Sequence, residues 1–147
     1  MSRVLVIGCG GVASVAIQKC CQVSDVFTEL CIASRTKSKC DALAEKLAGK
    51  TKTIVTTAQV DADDVQQVID LIHDYKPDLV MNIALPYQDL TIMDACLACG
   101  VNYMGRKTPM IRNGVQFMKS AVKKKDFRRT LITLGSGHIE RNLRMPA

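Results

Sequence analysis

Apolar positions along the chain follow two spacings, short continuous runs and stripes with a helical period. The first run, RVLVIG at residues 3–8, is apolar almost throughout, as in a strand buried on both faces of a sheet. In DADDVQQVIDLIHDYKPD, Val65, Val68, Ile69 and Ile72 form one stripe that ends before Pro77, which indicates an amphipathic helix. Further strands are predicted at ELCIAS, TKTIVTTAQV, DLVMNIAL and VNYM, and further helices at VASVAIQKCCQ, KSKCDALAEKLAG and YQDLTIMDACLACG. Strands that alternate with helices predict an α/β fold with a parallel sheet and right-handed crossovers.

A glycine-rich turn joins the first strand to the first helix. Residues 8–13, GCGGVA, have the spacing G-x-G-x-x-A. In this pattern Gly8 permits a tight turn, Gly10 lets the backbone approach a pyrophosphate, and Ala13 lets the helix pack closely on the strand. The free N–H groups at the helix N-terminus favour the anion. This strand–turn–helix context predicts a dinucleotide site in a Rossmann-like, doubly wound sheet, although a merely structural glycine turn remains an alternative.

The end of the second strand bears on the choice of cofactor. Proteins that prefer NAD usually carry an acid about 20 residues after the glycine turn, to hold the ribose 2′-hydroxyl. Here the residues are Ser34, Arg35, Thr36 and Lys37, which offer two hydroxyls and two cations and no carboxylate. These groups favour a 2′-phosphate, and Arg35 could also stack on adenine. The sequence therefore predicts NADP(H) rather than NAD(H), with a solvated basic turn as the alternative.

Two other strand ends carry candidate residues. Asp61 follows the third strand, where it could meet the adenine edge or serve only as a helix N-cap. The fourth strand ends in NIALP, near the point where the order of the strands is expected to reverse and a ligand crevice to open. Ala84, Leu85 and Pro86 are expected on the nicotinamide side of that crevice, while Asn82 could be only a hydrogen-bonding residue at the strand end.

Composition narrows the remaining classes of function. The chain has 147 residues, 48% of them hydrophobic, and contains neither a membrane-length apolar run nor a signal-peptide pattern, so we expect a cytoplasmic protein without a membrane partner. Its seven cysteines are odd in number and mostly occupy apolar positions, which favours reduced thiols. Cys96 and Cys99 have C-x-x-C spacing without a second pair of ligands, so a zinc or redox site is not expected. No catalytic set can be argued from these segments.

These segments resemble a known family. The glycine loop, IASRTKSKCDALAEKL and KPDLVMNIALPYQDLTIMDACLACGVNYM are similar to the saccharopine dehydrogenase-like family, and within it to carboxynorspermidine dehydrogenases, over residues 3–104. The resemblance implies that NADPH reduces the imine of aspartate β-semialdehyde and a diamine, in polyamine synthesis. It implies further that the pyrophosphate is held by Gly8, Gly10, Gly11, Val12 and Ala13, the 2′-phosphate end by Ser34, Arg35, Thr36 and Lys37, the adenosine by Asp61, and the nicotinamide by Ala84 and Pro86.

The chain changes character after Met104. Residues 1–104 carry nine Lys/Arg and twelve Asp/Glu, whereas residues 105–147 carry eleven and two, so the sums of charge are −3 and +9. The resemblance ends here, and a basic, weakly periodic tail takes the place of the family's substrate domain. Read from the third base of each allowed codon, the tail can spell strings similar to the family's continuation, while Met110-Ile111 closes the other shifted frame with a stop. We therefore hypothesise an out-of-frame deletion or a sequencing error, which intact DNA around codon 105 would refute.

The sequence thus predicts a cofactor-binding domain, residues 1–104, followed by an irregular basic tail, residues 105–147. The leading hypothesis is the NADP(H)-binding part of an oxidoreductase that is truncated before its substrate domain and inactive alone. A non-enzymatic NADP-binding sensor or interaction module is the alternative. Nucleic-acid binding through KKKDFRR is a weaker hypothesis, because the tail has no recognisable binding motif. The oligomeric state stays open, and a homo-oligomer is possible.

Overall fold

The fold consists of a parallel sheet with helices on both faces. The computed structural model describes residues 2–85, 88–106 and 132–134. The strands are β1 (Ser2–Ile7), β2 (Phe27–Ser34), β3 (Ile54–Gln59), β4 (Leu79–Asn82), β5 (Asn102–Arg106) and β6 (Ile132–Leu134). The helices are α1 (Gly11–Cys21), α2 (Lys37–Leu47), α3 (Val65–Tyr75) and α4 (Asp89–Cys99).

The strands lie in the order β3-β2-β1-β4-β5-β6, and every described pair of neighbours is parallel. The chain runs from β1 outward to β3, and α3 then carries it back across the sheet to β4. The strand order therefore reverses between β1 and β4, where Ile7 is in register with Ala33 on one side and with Asn82 on the other. This topology confirms the predicted doubly wound, Rossmann-like α/β fold, and the crevice of such folds opens at this reversal.

Alternation along β1 explains why this strand is apolar throughout. Leu5 and Ile7 belong to the core shared with α3 and α4, whereas Val4 and Val6 belong to the core shared with α1 and α2. All four are at most 1% exposed. Because helices cover both faces of the strand, a polar residue at any of these positions would be buried without a partner.

The helix ends correct one expectation. Asp64 caps α3, where its side chain accepts from the backbone N–H groups of Gln66 (2.9 Å) and Gln67 (3.3 Å). The alternative that Asp61 is the N-cap is therefore wrong, because α3 begins three residues later than that assignment requires. α4 ends at Gly100, whose φ of 68° is the left-handed conformation common after helices.

The predicted boundary at residue 104 falls inside a strand. β5 continues to Arg106, and Ile132–Leu134 pairs with it as β6. The tail segments 107–131 and 135–147, which include KKKDFRR, lie outside the described residues. Among the described residues, no helix combines the length and apolar character that crossing a membrane requires.

Candidate functional site

A cleft of about 680 Å³ opens at the carboxyl ends of the central strands. The loops after β1, β2 and β4 form most of its wall, and residues after β3 complete it. Most of the residues predicted to bind a cofactor line this cleft: Gly8, Gly10, Gly11, Val12, Ala13, Ser34, Arg35, Thr36 and Ala84. The structure thus brings together segments that are far apart in the sequence, at the place where parallel α/β sheets bind ligands.

Gly8 is required by the packing of the protein itself. Its φ is +120°, a conformation that side chains strongly disfavour, and its N–H donates to the Ala33 carbonyl at 2.9 Å. A Cβ on Gly8 would lie 2.7 Å from the carbonyl carbon of Ile83 and 2.8 Å from the amide nitrogen of Ala84. The glycine loop and the loop after β4 are therefore in direct backbone contact.

Gly10 and Gly11 differ from Gly8 in this respect. A Cβ on either residue would meet no atom within 4 Å, and Gly10 has an ordinary extended backbone with φ −87°. Gly10 is also the N-cap of α1, so no side chain caps this helix, and its first turn contains no acid. The first N–H groups of α1 are thus available to an anion, and the space that bare glycines leave is open for its approach.

The turn after β2 is held from within and from β3. The Ser34 hydroxyl donates to the Thr36 carbonyl (3.0 Å), accepts from the Thr36 N–H (3.2 Å) and lies 3.1 Å from the Cys40 sulfur. The Gln59 amide donates to the Arg35 carbonyl at 3.2 Å. The Ser34 hydroxyl therefore shapes the turn, and the exposed Arg35 side chain follows it at the cleft wall.

The two lysines near the start of α2 have different places. Lys37 does not line the cleft, and its Nζ lies 3.6 Å from the Asp41 carboxylate one turn along the helix. Lys39 lines the cleft and was missed from the sequence. Residues two positions apart in a helix lie about 200° apart around its axis, so only one of Lys37 and Lys39 can face the cleft. The residue at which α2 begins, Lys37, sets the phase of the helix and is the signal that could have distinguished the two lysines.

Asp61 lies beside the cleft rather than in its wall. Its neighbours Val60 and Ala62 line the cleft, while its carboxylate accepts from the Asp63 N–H at 3.1 Å. Its own N–H donates to the Gln67 side chain at 3.1 Å. A contact between Asp61 and adenosine stays a prediction.

The loop after β4 contributes a buried polar network. Asn82 is 3% exposed, and its amide donates to the Asp89 carboxylate and, at 3.2 Å, to the Tyr103 hydroxyl. The Asn82 side-chain oxygen accepts from the Ala84 N–H at 2.9 Å, so Asn82 is indeed a hydrogen-bonding residue at the strand end. Leu85 and Asp89 also line the cleft. Pro86 lies outside the described residues.

Burial makes the Cys9 thiol in the cleft wall and the Cys96 thiol in the core weak nucleophiles near pH 7. Cys9 lines the cleft, and burial, with the neighbouring Cys40 thiol, raises the pKa of Cys9 to about 11. Burial likewise raises the pKa of Cys96 to about 12, so both thiols are protonated near pH 7. Among the described residues, no three His, Cys, Asp or Glu side chains gather where they could hold a metal ion.

Comparison with known families identifies the domain. The model of the saccharopine dehydrogenase NADP-binding domain matches residues 4–136. The chain belongs to this family. The region that the family model matches extends beyond the boundary predicted at residue 104 and ends at residue 136, two residues after β6.

Two curated relatives are similar to this chain in sequence, and one solved structure has a similar fold. The chain is 47% identical over 104 residues to the Synechocystis sp. carboxyaminopropylagmatine dehydrogenase. The aligned region covers 71% of this chain and 25% of that protein. The chain is 38% identical over 106 residues to carboxynorspermidine synthase of Vibrio cholerae, covering 69% and 26%. Saccharopine dehydrogenase from Saccharomyces cerevisiae has a similar fold, with a TM-score of 0.61 at 18% identity over 77% of this chain and 24% of that one. The chain therefore spans about a quarter of the length of its curated relatives.

The cleft fits the nicotinamide dinucleotide that this saccharopine dehydrogenase domain family binds. The uncapped start of α1 and the open space at Gly10 suit a pyrophosphate. Arg35 and Lys39 place two cations on the β2 side of the same cleft. The NADP-binding family and the described residues thus agree on a cofactor cleft.

Proposed function

We propose that this domain binds NADP(H) in preference to NAD(H). The observation that carries the proposal is the pair of cations, Arg35 and Lys39, in the wall formed by the β2–α2 turn and the first turn of α2. Among the described residues of the wall, the acidic one is Asp89, which stands in the other half after β4. A 2′-phosphate bound there therefore meets cations and hydroxyls. At the end of β2, Ser34 occupies the position where NAD-binding proteins usually have the carboxylate that holds the 2′-hydroxyl.

The proposal has a matched pair of substitutions. Arg35 and Lys37 are both exposed cations two residues apart, but only Arg35 lines the cleft. Calorimetric titration of the 147-residue chain with NADPH and NADH should show tighter binding of NADPH. Arg35→Ala should weaken NADPH binding about tenfold, the loss of one charge-assisted contact, and leave NADH unchanged. Lys37→Ala should change neither.

The result that refutes the preference is equal affinity for the two cofactors, or a Lys37→Ala effect as large as that of Arg35→Ala. In the first case the basic turn is only solvated surface. In the second case the lysine faces the ligand and the assignment of the cleft wall is wrong. Failure to bind either cofactor removes the proposed function itself.

For the whole protein, we propose an NADPH-dependent reduction of an imine formed from an aldehyde and an amine. The support is the family and the likeness to relatives named as a carboxyaminopropylagmatine dehydrogenase and a carboxynorspermidine synthase. NADPH supplies a hydride there, and this domain's part is to hold and orient the cofactor. The groups that orient the imine lie mainly outside this quarter of the relatives' length, so we expect no useful turnover from the chain alone.

Absorbance at 340 nm with NADPH, aspartate semialdehyde and a diamine tests this expectation. Binding without turnover agrees with a cofactor domain, and it also fits the alternative of a non-enzymatic NADP-binding module. Turnover by the 147 residues alone would refute the assignment of the substrate groups to other parts of the enzyme.

Three other expectations stay proposals. A cytoplasmic location is supported by the seven cysteines, all of which are free thiols. Formation of a homo-oligomer is supported by the edge strand β3, where Ile54 is 61% exposed, and sedimentation of the chain tests it. The domain boundary near residue 104 and the out-of-frame origin of the tail are tested by resequencing around codon 105.

A further inference from the structure

Residues 83–85 of the β4–α4 loop, the described residues directly after β4, lie in the wall of the cleft. No regular strand or helix runs through these residues. One backbone bond, from the Gln88 N–H to the Leu85 carbonyl at 3.1 Å, joins residues on either side of the pair 86–87, which lies outside the described residues. Connections are in general more mobile than the elements they join, so side-chain hydrogen bonds at their ends restrict their conformation.

The Asn82–Asp89–Tyr103 network joins the two ends of this loop. Asn82 is the last residue of β4 and Asp89 the first of α4, and their side chains are hydrogen-bonded to each other. The Tyr103 hydroxyl donates to the same Asp89 oxygen at 2.8 Å and ties both to β5. Asn82 then reaches into the loop, where its oxygen accepts from the Ala84 N–H. Both amide hydrogens and the oxygen of Asn82 are therefore in use.

The network is buried, so its geometry is restricted. Asn82 and Tyr103 are each 3% exposed. Burial raises the pKa of Tyr103 above its ordinary value, so the phenol is protonated and can donate near pH 7. The Tyr103 ring also lies over Gly105, where an added Cβ would be 2.8 Å from ring carbon Cε1. A side chain at position 105 would thus displace the hydroxyl from its two partners.

The loop transmits this restriction to the glycine turn. Gly8 packs against the Ile83–Ala84 peptide so closely that a Cβ would overlap it. The Ile83 N–H in turn donates to the Ile7 carbonyl at 2.9 Å. The shape of the loop after β4 therefore sets one wall of the cleft next to the glycine turn, on the side away from Arg35 and Lys39.

We propose that Asn82, Asp89 and Tyr103 are positioning residues that hold residues 83–85, the described residues directly after β4, in the shape that receives the nicotinamide half of the cofactor. This inference rests on the proposed function, because it takes the 2′-phosphate half to lie at Arg35. It predicts that damage to the network separates the two halves of the ligand. Contacts with the adenosine and its phosphates persist, and contacts with the nicotinamide ribonucleotide weaken.

The test compares NADPH with adenosine 2′,5′-bisphosphate, which has the 2′-phosphate and adenosine but no nicotinamide. Tyr103→Phe in the 147-residue chain should weaken NADPH about fivefold, the factor that corresponds to one hydrogen bond, and leave the bisphosphate within twofold. Tyr75→Phe is the control, because it removes a buried phenol hydroxyl that has no hydrogen-bond partner among the described residues and does not line the cleft, so it should bind NADPH as the wild type does. Thermal unfolding of each variant accompanies the titrations.

The other possible results of these titrations contradict either the positioning role or the proposed function on which it rests. Equal loss of both ligands in Tyr103→Phe indicates a merely structural role, and unchanged binding of both indicates no role. If Tyr75→Phe weakens NADPH as much as Tyr103→Phe, loss of a buried hydroxyl away from the cleft is sufficient and positioning is wrong. If the wild-type chain binds neither ligand, the proposed function fails and this inference with it.

A second measurement needs no variant. The Ala84 amide is bonded to Asn82, and its hydrogen exchange reports on the loop. NADPH should slow that exchange at least threefold more than the bisphosphate does, because only NADPH occupies the half of the cleft beside the loop. Equal protection by the two ligands would overturn the proposal even if Tyr103→Phe did not fold.

Discussion

Two glycines in one loop should respond oppositely to the same substitution. Gly8→Ala places a methyl group 2.7 Å from the Ile83 carbonyl carbon, in a residue with φ +120°. Gly10→Ala places the same group where no protein atom lies within 4 Å, on an extended backbone that alanine adopts freely. The first change therefore tests packing of the protein, and the second tests the space reserved for a ligand.

The magnitudes follow from these positions. A residue held in a disfavoured backbone region costs about 1–3 kcal/mol, and the overlap at Gly8 adds to this, so we expect at least about 3 kcal/mol. At Gly10, alanine is a poorer N-cap than glycine, but it also reduces the entropy of the unfolded chain, and the two effects cancel to within about 0.5 kcal/mol. For a domain of this size, about 3 kcal/mol lowers Tm by more than 10 °C, whereas about 0.5 kcal/mol lowers it by less than 4 °C.

The affinity for NADPH should change strongly at Gly10, the position where the substitution leaves stability almost unchanged. Gly10→Ala, although folded, should weaken NADPH at least about tenfold, or about 1.4 kcal/mol, because its methyl group occupies the approach to the first N–H groups of α1. Differential scanning calorimetry gives the unfolding temperatures, and titration of the folded Gly10→Ala chain gives the affinity. Wild-type affinity in Gly10→Ala would refute the reasoning, since the glycine would then serve the turn alone. A large fall in Tm for the same variant would also refute it.

Three further outcomes follow from the same structure. Lys39→Ala should weaken NADPH about threefold, as expected for one exposed ion pair, and leave NADH unchanged; titration of both cofactors checks it, and an unchanged NADPH affinity would contradict it. Gly105→Ala should push the Tyr103 ring from its place and lower Tm by several degrees, whereas the same Gly→Ala change at Gly10 should not. The domain should lose stability as pH rises above about 9, because burial raises the pKa of Cys96 from 9.0 to about 12 and that of Cys9 to about 11. The unfolded thiols ionise first, so the stabilisation is complete below pH 9 and is lost towards pH 11–12; urea midpoints that agree at pH 8 and pH 10 would contradict this.

Much of the fold was predictable because local patterns determine it. The apolar run of β1 and the glycine turn that follows identify a strand buried on both faces and the start of α1. The stripe through Val68 and Ile72 marks the buried side of α3. Each of these signals spans fewer than about twenty residues, so it is legible without knowledge of the rest of the chain.

The residues that sequence reasoning missed depend on helix phase or on distant pairing. Lys39 rather than Lys37 faces the cleft because α2 begins at residue 37, and a shift of one residue would change the assignment. Asp64 rather than Asp61 caps α3 for a similar reason, since the segment DADD at residues 61–64 offers three acids for one cap. The link from Asn82 to Tyr103 spans 21 residues and exists only because β4 and β5 are adjacent in the sheet. Spacing along the chain carries no signal for it.

The charges of the cleft decide how an extended dinucleotide can lie in it. Arg35 and Lys39 stand on the β2 side, the uncapped start of α1 lies at the centre, and Asp89 stands on the β4 side. A ligand with a 2′-phosphate at one end and a pyrophosphate in the middle matches this order in one direction only. In the opposite direction its terminal phosphate would face the Asp89 carboxylate, and its nicotinamide end, neutral in NADPH and positively charged in NADP⁺, would face two cations. If the proposed function is right, the turn after β2 therefore sets the orientation of the cofactor as well as the preference for NADP(H), and the nicotinamide lies beside the loop residues that Asn82 and Tyr103 are proposed to hold.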